Sequence, residues 1–62
     1  MDQNAKTKFM QIYANLPMNI RKEIIAVVDG EAVTWNVAFL EIRSETKIGE
    51  KILNNLKLLD IL

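Results

Sequence analysis

Apolar and polar positions alternate along this chain with two different periods. From Ala5 to Leu16 the side chains Phe9, Ile12, Tyr13 and Leu16 fall at offsets i, i+3, i+4 and i+7, the spacing of one helical stripe. Pro17 disfavours the helical conformation at Leu16, so a first helix over residues 5–16 ends there or just before. Met18 to Glu23 reads as a connection, with room for a helical turn begun by Asn19. The pattern then tightens into Ile24-Ile25-Ala26-Val27-Val28, an unbroken apolar run. Spacing alone also permits a helix through Ile20, Ile24 and Val28. Four of the five residues are β-branched, however, and the run ends in Asp29-Gly30, the pair that accepts the positive φ angles of a type I′ turn. A strand is predicted, with Glu31-Ala32-Val33-Thr34 returning as its partner.

With Asp29 and Gly30 as the two loop residues, Val28 lies opposite Glu31, Val27 opposite Ala32, Ala26 opposite Val33 and Ile25 opposite Thr34. Strand alternation then puts Ile24, Ala26, Val28 and Val33 on one face and Ile25, Val27, Ala32 and Thr34 on the other. Both faces are apolar, whereas a hairpin with one side in water shows a polar face. Two strands alone are barely stable. The chain's own helices can cover one face, and a second copy is the simplest cover for the other.

Thr34 is placed to cap a second helix from Trp35 to about Arg43, because its hydroxyl can accept from an orphan backbone amide. Trp35, Ala38, Phe39 and Ile42 form the main stripe of that helix, while Val37 and Leu40 project from another side. Ser44 is expected to cap a third helix, with Glu45 in a first turn where the helix dipole favours negative charge. Its stripe is Ile48, Ile52, Leu56 and Leu59, with Leu53 beside it. Gly49 lies close to this stripe and costs up to about 1 kcal/mol relative to alanine, which the close approach of a neighbouring backbone would explain. Leu58 and Ile61 fall off the stripe, so the tail from Leu58 to Leu62 either leaves the helix or docks on another chain. The expected architecture is α+β: a helix, a two-stranded β-hairpin, then two helices packed on the hairpin.

Length makes that hairpin hard to bury. A chain of 62 residues is expected to be a single small domain over residues 1–62, and a domain of this size buries only about 60% of the surface its unfolded chain exposes. Domains this small are usually reinforced by disulfides, metals or oligomerisation. The chain has no cysteine and no histidine, which removes disulfides and the usual zinc ligands. Oligomerisation is left, and half of the residues are hydrophobic while only 6% are aromatic, so aliphatic surface is in good supply. Eight basic residues balance eight acidic ones, and no net positive field draws the protein to nucleic acid or an anionic membrane. Neither a signal-peptide pattern nor a membrane-length apolar run is present, which makes a cytoplasmic location the expectation.

Catalysis has few groups to work with. Histidine, the commonest general base, and cysteine, the most reactive nucleophile, are both missing. No cofactor or metal is expected. Asp29 and Glu31 sit close enough to hold a hard cation, yet the turn by itself accounts for Asp-Gly. Glu41 and Glu45 read as solvated or ion-paired surface charges. Trp35 and Tyr13 read as core residues, the tyrosine hydroxyl reaching toward the surface.

Residues 38–62, AFLEIRSETKIGEKILNNLKLLDIL, resemble the helix-turn-helix half of winged-helix regulators. That resemblance implies a second helix lying in the major groove, with Lys47, Lys51, Asn54 and Lys57 facing phosphates and bases. Glu50 falls inside this basic face, and the chain stops where a wing would follow. A membrane-surface helix calls for aromatic residues opposite a basic face, and the third helix has none. The stretches DGEAVTWNVAFLEI and TKIG, with the Leu-rich end, also resemble short uncharacterised prokaryotic proteins, archaeal ones included, which implies no activity. The expectation is a non-enzymatic protein acting through protein association as a homodimer. Its interface is drawn from Ile25, Val27, Val37, Leu40, Leu58, Ile61 and Leu62; DNA binding is the alternative.

Overall fold

Asp2 starts the chain's first helix by accepting a hydrogen bond from the Ala5 amide at 3.1 Å, an N-cap that satisfies one orphan donor. In the computed structural model, which describes all residues from Met1 to Leu62, this helix, α1, spans Gln3–Ala14. It lies two residues earlier than the apolar stripe indicates, because Asp2 rather than the apolar pattern sets its start. Arg21 closes its other end. The guanidinium donates to the Tyr13 carbonyl at 3.0 Å and lies 4.3 Å from the centre of the Tyr13 ring, so one side chain caps the last carbonyls and covers an aromatic face. A 3-10 turn at Ile20–Lys22 follows Pro17 and leads into the hairpin.

The hairpin consists of β1, Ile24–Val28, and β2, Glu31–Thr34, paired antiparallel. Asp29 and Gly30 have φ of 52° and 80°, as a type I′ turn requires. The pairs Val28–Glu31, Val27–Ala32 and Ala26–Val33 follow the predicted register. The next one does not: Thr34 pairs with Ile24, and Ile25 is left as an extra residue in a β-bulge. The bulge exchanges the faces of two residues. Ile25 turns to pack against the core, while Ile24 is 61% exposed.

Thr34 ends β2 and caps α2, Trp35–Arg43, its hydroxyl accepting from the Val37 amide at 3.2 Å. The start of the last helix differs from expectation. Ser44 ends α2, Glu45 takes a left-handed φ of 51°, and Thr46 caps α3, Lys47–Leu58. Two hydrogen bonds, Glu45 amide to the Ile42 carbonyl and Thr46 amide to the Glu41 carbonyl, form a Schellman ending of α2 that uses up the residues a Ser44 cap would need. The same pair of bonds closes α3: Asp60, at φ 61°, donates to the Lys57 carbonyl, and Ile61 donates to the Leu56 carbonyl.

Gly49 sets how α3 meets α2. A Cβ at this position would land on the backbone carbonyl of Glu41, so only glycine lets the two helices come this close. The buried stripe of α3 is accordingly Gly49, Ile52, Leu53 and Leu56. Ile48 and Leu59, expected on the stripe, are largely exposed.

Ten buried residues make the core: Ala5 and Phe9 from α1, Ala26, Val28 and Val33 from the hairpin, Ala38 and Ile42 from α2, and Ile52, Leu53 and Leu56 from α3. An aromatic layer flanks it. Phe9 lies 5.7 Å from Trp35, and Tyr13 stacks on Phe39 at 4.2 Å with 9° between the rings. The Tyr13 hydroxyl donates to Asn36 Oδ1 at 2.7 Å, so its polar tip is satisfied at the edge of the layer. No helix is long and apolar enough to cross a membrane.

Replacing Gly49 with alanine is expected to lower stability by about 1 to 3 kcal/mol, the usual cost of overpacking. This outweighs alanine's helix-propensity gain of up to about 1 kcal/mol. A urea denaturation midpoint no lower than that of the parent chain would refute the close-contact account.

Candidate association surface

One face of the hairpin lies on the helices and the other is open. Ala26, Val28 and Val33 point into the core, while Val27 is 63% exposed and its cross-strand neighbour Ala32 is exposed as well. Ile24 joins the exposed set through the bulge. The apolar surface continues beyond the sheet. Ala32, Val37 of α2 and Ile48 of α3 line one groove of about 430 Å³, whose floor includes Val28 and Val33 and whose acidic side chains are Asp29, Glu31 and Glu41. Leu40, one turn on from Val37, is 52% exposed.

The residues expected at an interface are therefore divided. Val27 is exposed on the open hairpin face, Val37 shares the groove with Ala32, and Leu40 is exposed one turn further along α2. Leu58 and Ile61 are exposed at the far end of α3, where Lys57 reaches Asp2 rather than the hairpin. Two residues are corrected. Ile25 packs against the chain's own core because of the bulge, and Leu62 folds back against it after the Asp60 turn, next to Asp2, Ala5 and Lys57. Ile24 and Ile48 are exposed apolar side chains outside the expected set. Strand alternation assigned Ile24 to the covered face, and no sequence signal marks a bulge between two isoleucines. Ile48 could have been found by taking Gly49 itself as a buried stripe position.

Two of the groove's three carboxylates are held by groups of the same chain. Asp29 accepts from Lys51 at 2.8 Å, which ties the hairpin tip to α3. The Thr46 hydroxyl donates to Glu41 Oε1 at 3.1 Å. Asp29 and Glu31 belong to no cluster of three or more metal-ligating side chains. Elsewhere Lys6 pairs with Glu45 at 2.6 Å and Lys57 with Asp2 at 3.0 Å. The Ala5 amide, then Lys57, holds the Asp2 carboxyl below its ordinary value, and Lys6, then Gln3, does the same for Glu45. Glu45 stands at the left-handed position of the Schellman ending, one that usually falls to glycine.

The residues of the DNA alternative, Lys47, Lys51, Asn54 and Lys57, are all exposed on α3. The connection from α2 is a tight one of residues 44–46. Two of the three lysines are engaged, Lys51 with Asp29 and Lys57 with Asp2, so part of the positive charge on that face is neutralised before any phosphate arrives. Comparison with protein-family models, curated proteins and solved structures finds no match to this chain.

The lowered Asp2 and Glu45 values fix the sign of an acid effect. Each carboxylate is more acidic folded than unfolded, so its stabilisation is complete above the ordinary carboxylate range and is lost as pH falls through the lowered value. Denaturation midpoints should fall from about pH 4 downward. The double variant Asp2→Asn, Glu45→Gln should be less stable at neutral pH and lose less on acidification. An acid dependence identical to the parent's would exclude both pairs as its source.

Proposed function

We propose that this chain is a non-enzymatic protein that acts through protein association and pairs with a second copy of itself, in a cytoplasmic setting. The observation that carries this reading is the balance of apolar surface. Ten residues form the core, while nine large hydrophobic side chains are exposed, Ile24, Val27, Val37, Leu40 and Ile48 among them. A loose fold does not account for them. The chain exposes 4095 Å², close to the roughly 4,100 Å² expected of a folded monomer of its mass. The exposed aliphatics are therefore a matter of placement, and contiguous apolar patches of a few hundred Å² mark interaction sites. A standard interface covers about 800 Å² per partner, a fifth of this surface, which the open hairpin face, α2 and the start of α3 can supply together. The missing histidine and cysteine favour a role without catalysis.

DNA binding through residues 38–62 is the second reading, supported by the exposed Lys47, Lys51, Asn54 and Lys57 on a helix that follows a tight turn. Anisotropy of a labelled random duplex at low salt tests it, because phosphate contacts are strongest there. Absence of binding removes it.

Light scattering across a concentration series is expected to show a dimer at micromolar concentration. Val27→Lys should weaken association about tenfold or more and leave the circular dichroism of the chain unchanged, since the side chain is exposed. A monomer at every concentration with a cooperative melt would overturn the association reading.

A further inference from the structure

The groove at the hairpin tip carries one sign of charge. It is lined by five aliphatic side chains, of which Ala32, Val37 and Ile48 are open to solvent, and its only charged lining groups are Asp29, Glu31 and Glu41. The excess is local, since the chain as a whole has eight basic and eight acidic residues. One of the three charges is balanced, Asp29 by Lys51 at 2.8 Å. The Glu41 carboxylate accepts from the neutral Thr46 hydroxyl, and Glu31 has no ion-pair partner within the chain. Lys47 precedes Ile48 but pairs with no carboxylate. Two uncompensated negative charges therefore border an apolar hollow of about 430 Å³, a volume within the roughly 300–1,000 Å³ of concave sites that take a ligand.

That combination selects the occupant. A second copy meeting the groove about a two-fold axis brings the same patch to it, which sets carboxylates against carboxylates and costs binding energy. Nucleic acid and an anionic membrane surface are repelled for the same reason. The complement is a segment in which lysine or arginine stands beside aliphatic side chains. Its aliphatic groups cover Val37 and Ile48, and its cations meet Glu31 and Glu41. We infer that the groove binds a basic, aliphatic peptide segment of another protein. Val27, the residue by which self-pairing is tested, does not line the groove. The inference therefore extends the association reading to a second kind of partner, and the two can fail separately.

Two labelled peptides of about ten residues test it by anisotropy against the intact chain, one alternating valine with lysine and the other valine with glutamate. The lysine peptide should bind, more weakly as salt is raised, and the glutamate peptide should not. Glu31→Lys should weaken binding about tenfold or more. Glu23→Lys makes the same change of charge at the other end of the hairpin and should leave the affinity within about twofold of the parent, because contacts with exposed charges are short in range. Val37→Ser should weaken binding several-fold, which attraction by charge alone does not explain. All three side chains are exposed, so the circular dichroism of each variant should match the parent's. Equal binding of the two peptides, or equal losses from Glu23→Lys and Glu31→Lys, overturns the groove as the site. So does failure of the lysine peptide to bind, and if Glu31→Lys then changes the strength of a parent dimer, the groove belongs to the second copy. Peptide binding by a chain that stays monomeric overturns self-pairing alone.

Discussion

Without a side chain at position 49, the first turn of α3 closes on the Glu41 carbonyl, and much of the arrangement follows from how near those two backbones come. The approach turns α3 so that Ile52, Leu53 and Leu56 face inward. It leaves Ile48 outside, beside Val37, where the two share a groove with Ala32. Thr46 serves both helices. Its amide completes the ending of α2 and its hydroxyl caps α3 through the Gly49 amide. A tight connection is possible here because one residue satisfies orphan groups from two helix ends, which otherwise would have to find water or other side chains.

The second constraint is area. Two short helices, α2 and α3, lie on one side of the two-stranded sheet, with α1 packed against both of them, burying Ala26, Val28 and Val33. No element remains for the other side. A larger domain would add a helix or strand there, since the fraction of surface buried rises with chain length. The bulge at Ile25 eases the problem by turning one isoleucine inward, but the register then sets Ile24 outward in its place. The proposed second copy answers the same shortage from outside the chain.

Electrostatics acts as a set of tethers between elements distant in sequence. Lys51 to Asp29 holds α3 to the hairpin tip, Lys57 to Asp2 holds the end of α3 to the start of α1, and Lys6 to Glu45 holds α1 to the turn before α3. All three are at least partly exposed, and such pairs contribute little individually. Their effect is on placement. They occupy two lysines that a nucleic-acid reading of α3 depends on.

Local chemistry determined the elements: Pro17 and the apolar stripe made α1 legible, β-branching and Asp-Gly made the hairpin and most of its register legible, and Thr34 marked the start of α2. The same patterning showed that both hairpin faces are apolar, which named Val27, and that the second helix is apolar on more than one side, which named Val37 and Leu40. Tertiary structure decided what depends on two elements meeting. The bulge that exchanges Ile24 and Ile25 belongs to the pairing of β1 with β2. The inward turn of Gly49 is set by the Glu41 backbone, the helix boundary at Thr46 by shared hydrogen bonds, and the return of Leu62 by the Asp60 turn. Sequence carries the period of a stripe, but rotation about an element's axis is fixed only by the surface against which it packs.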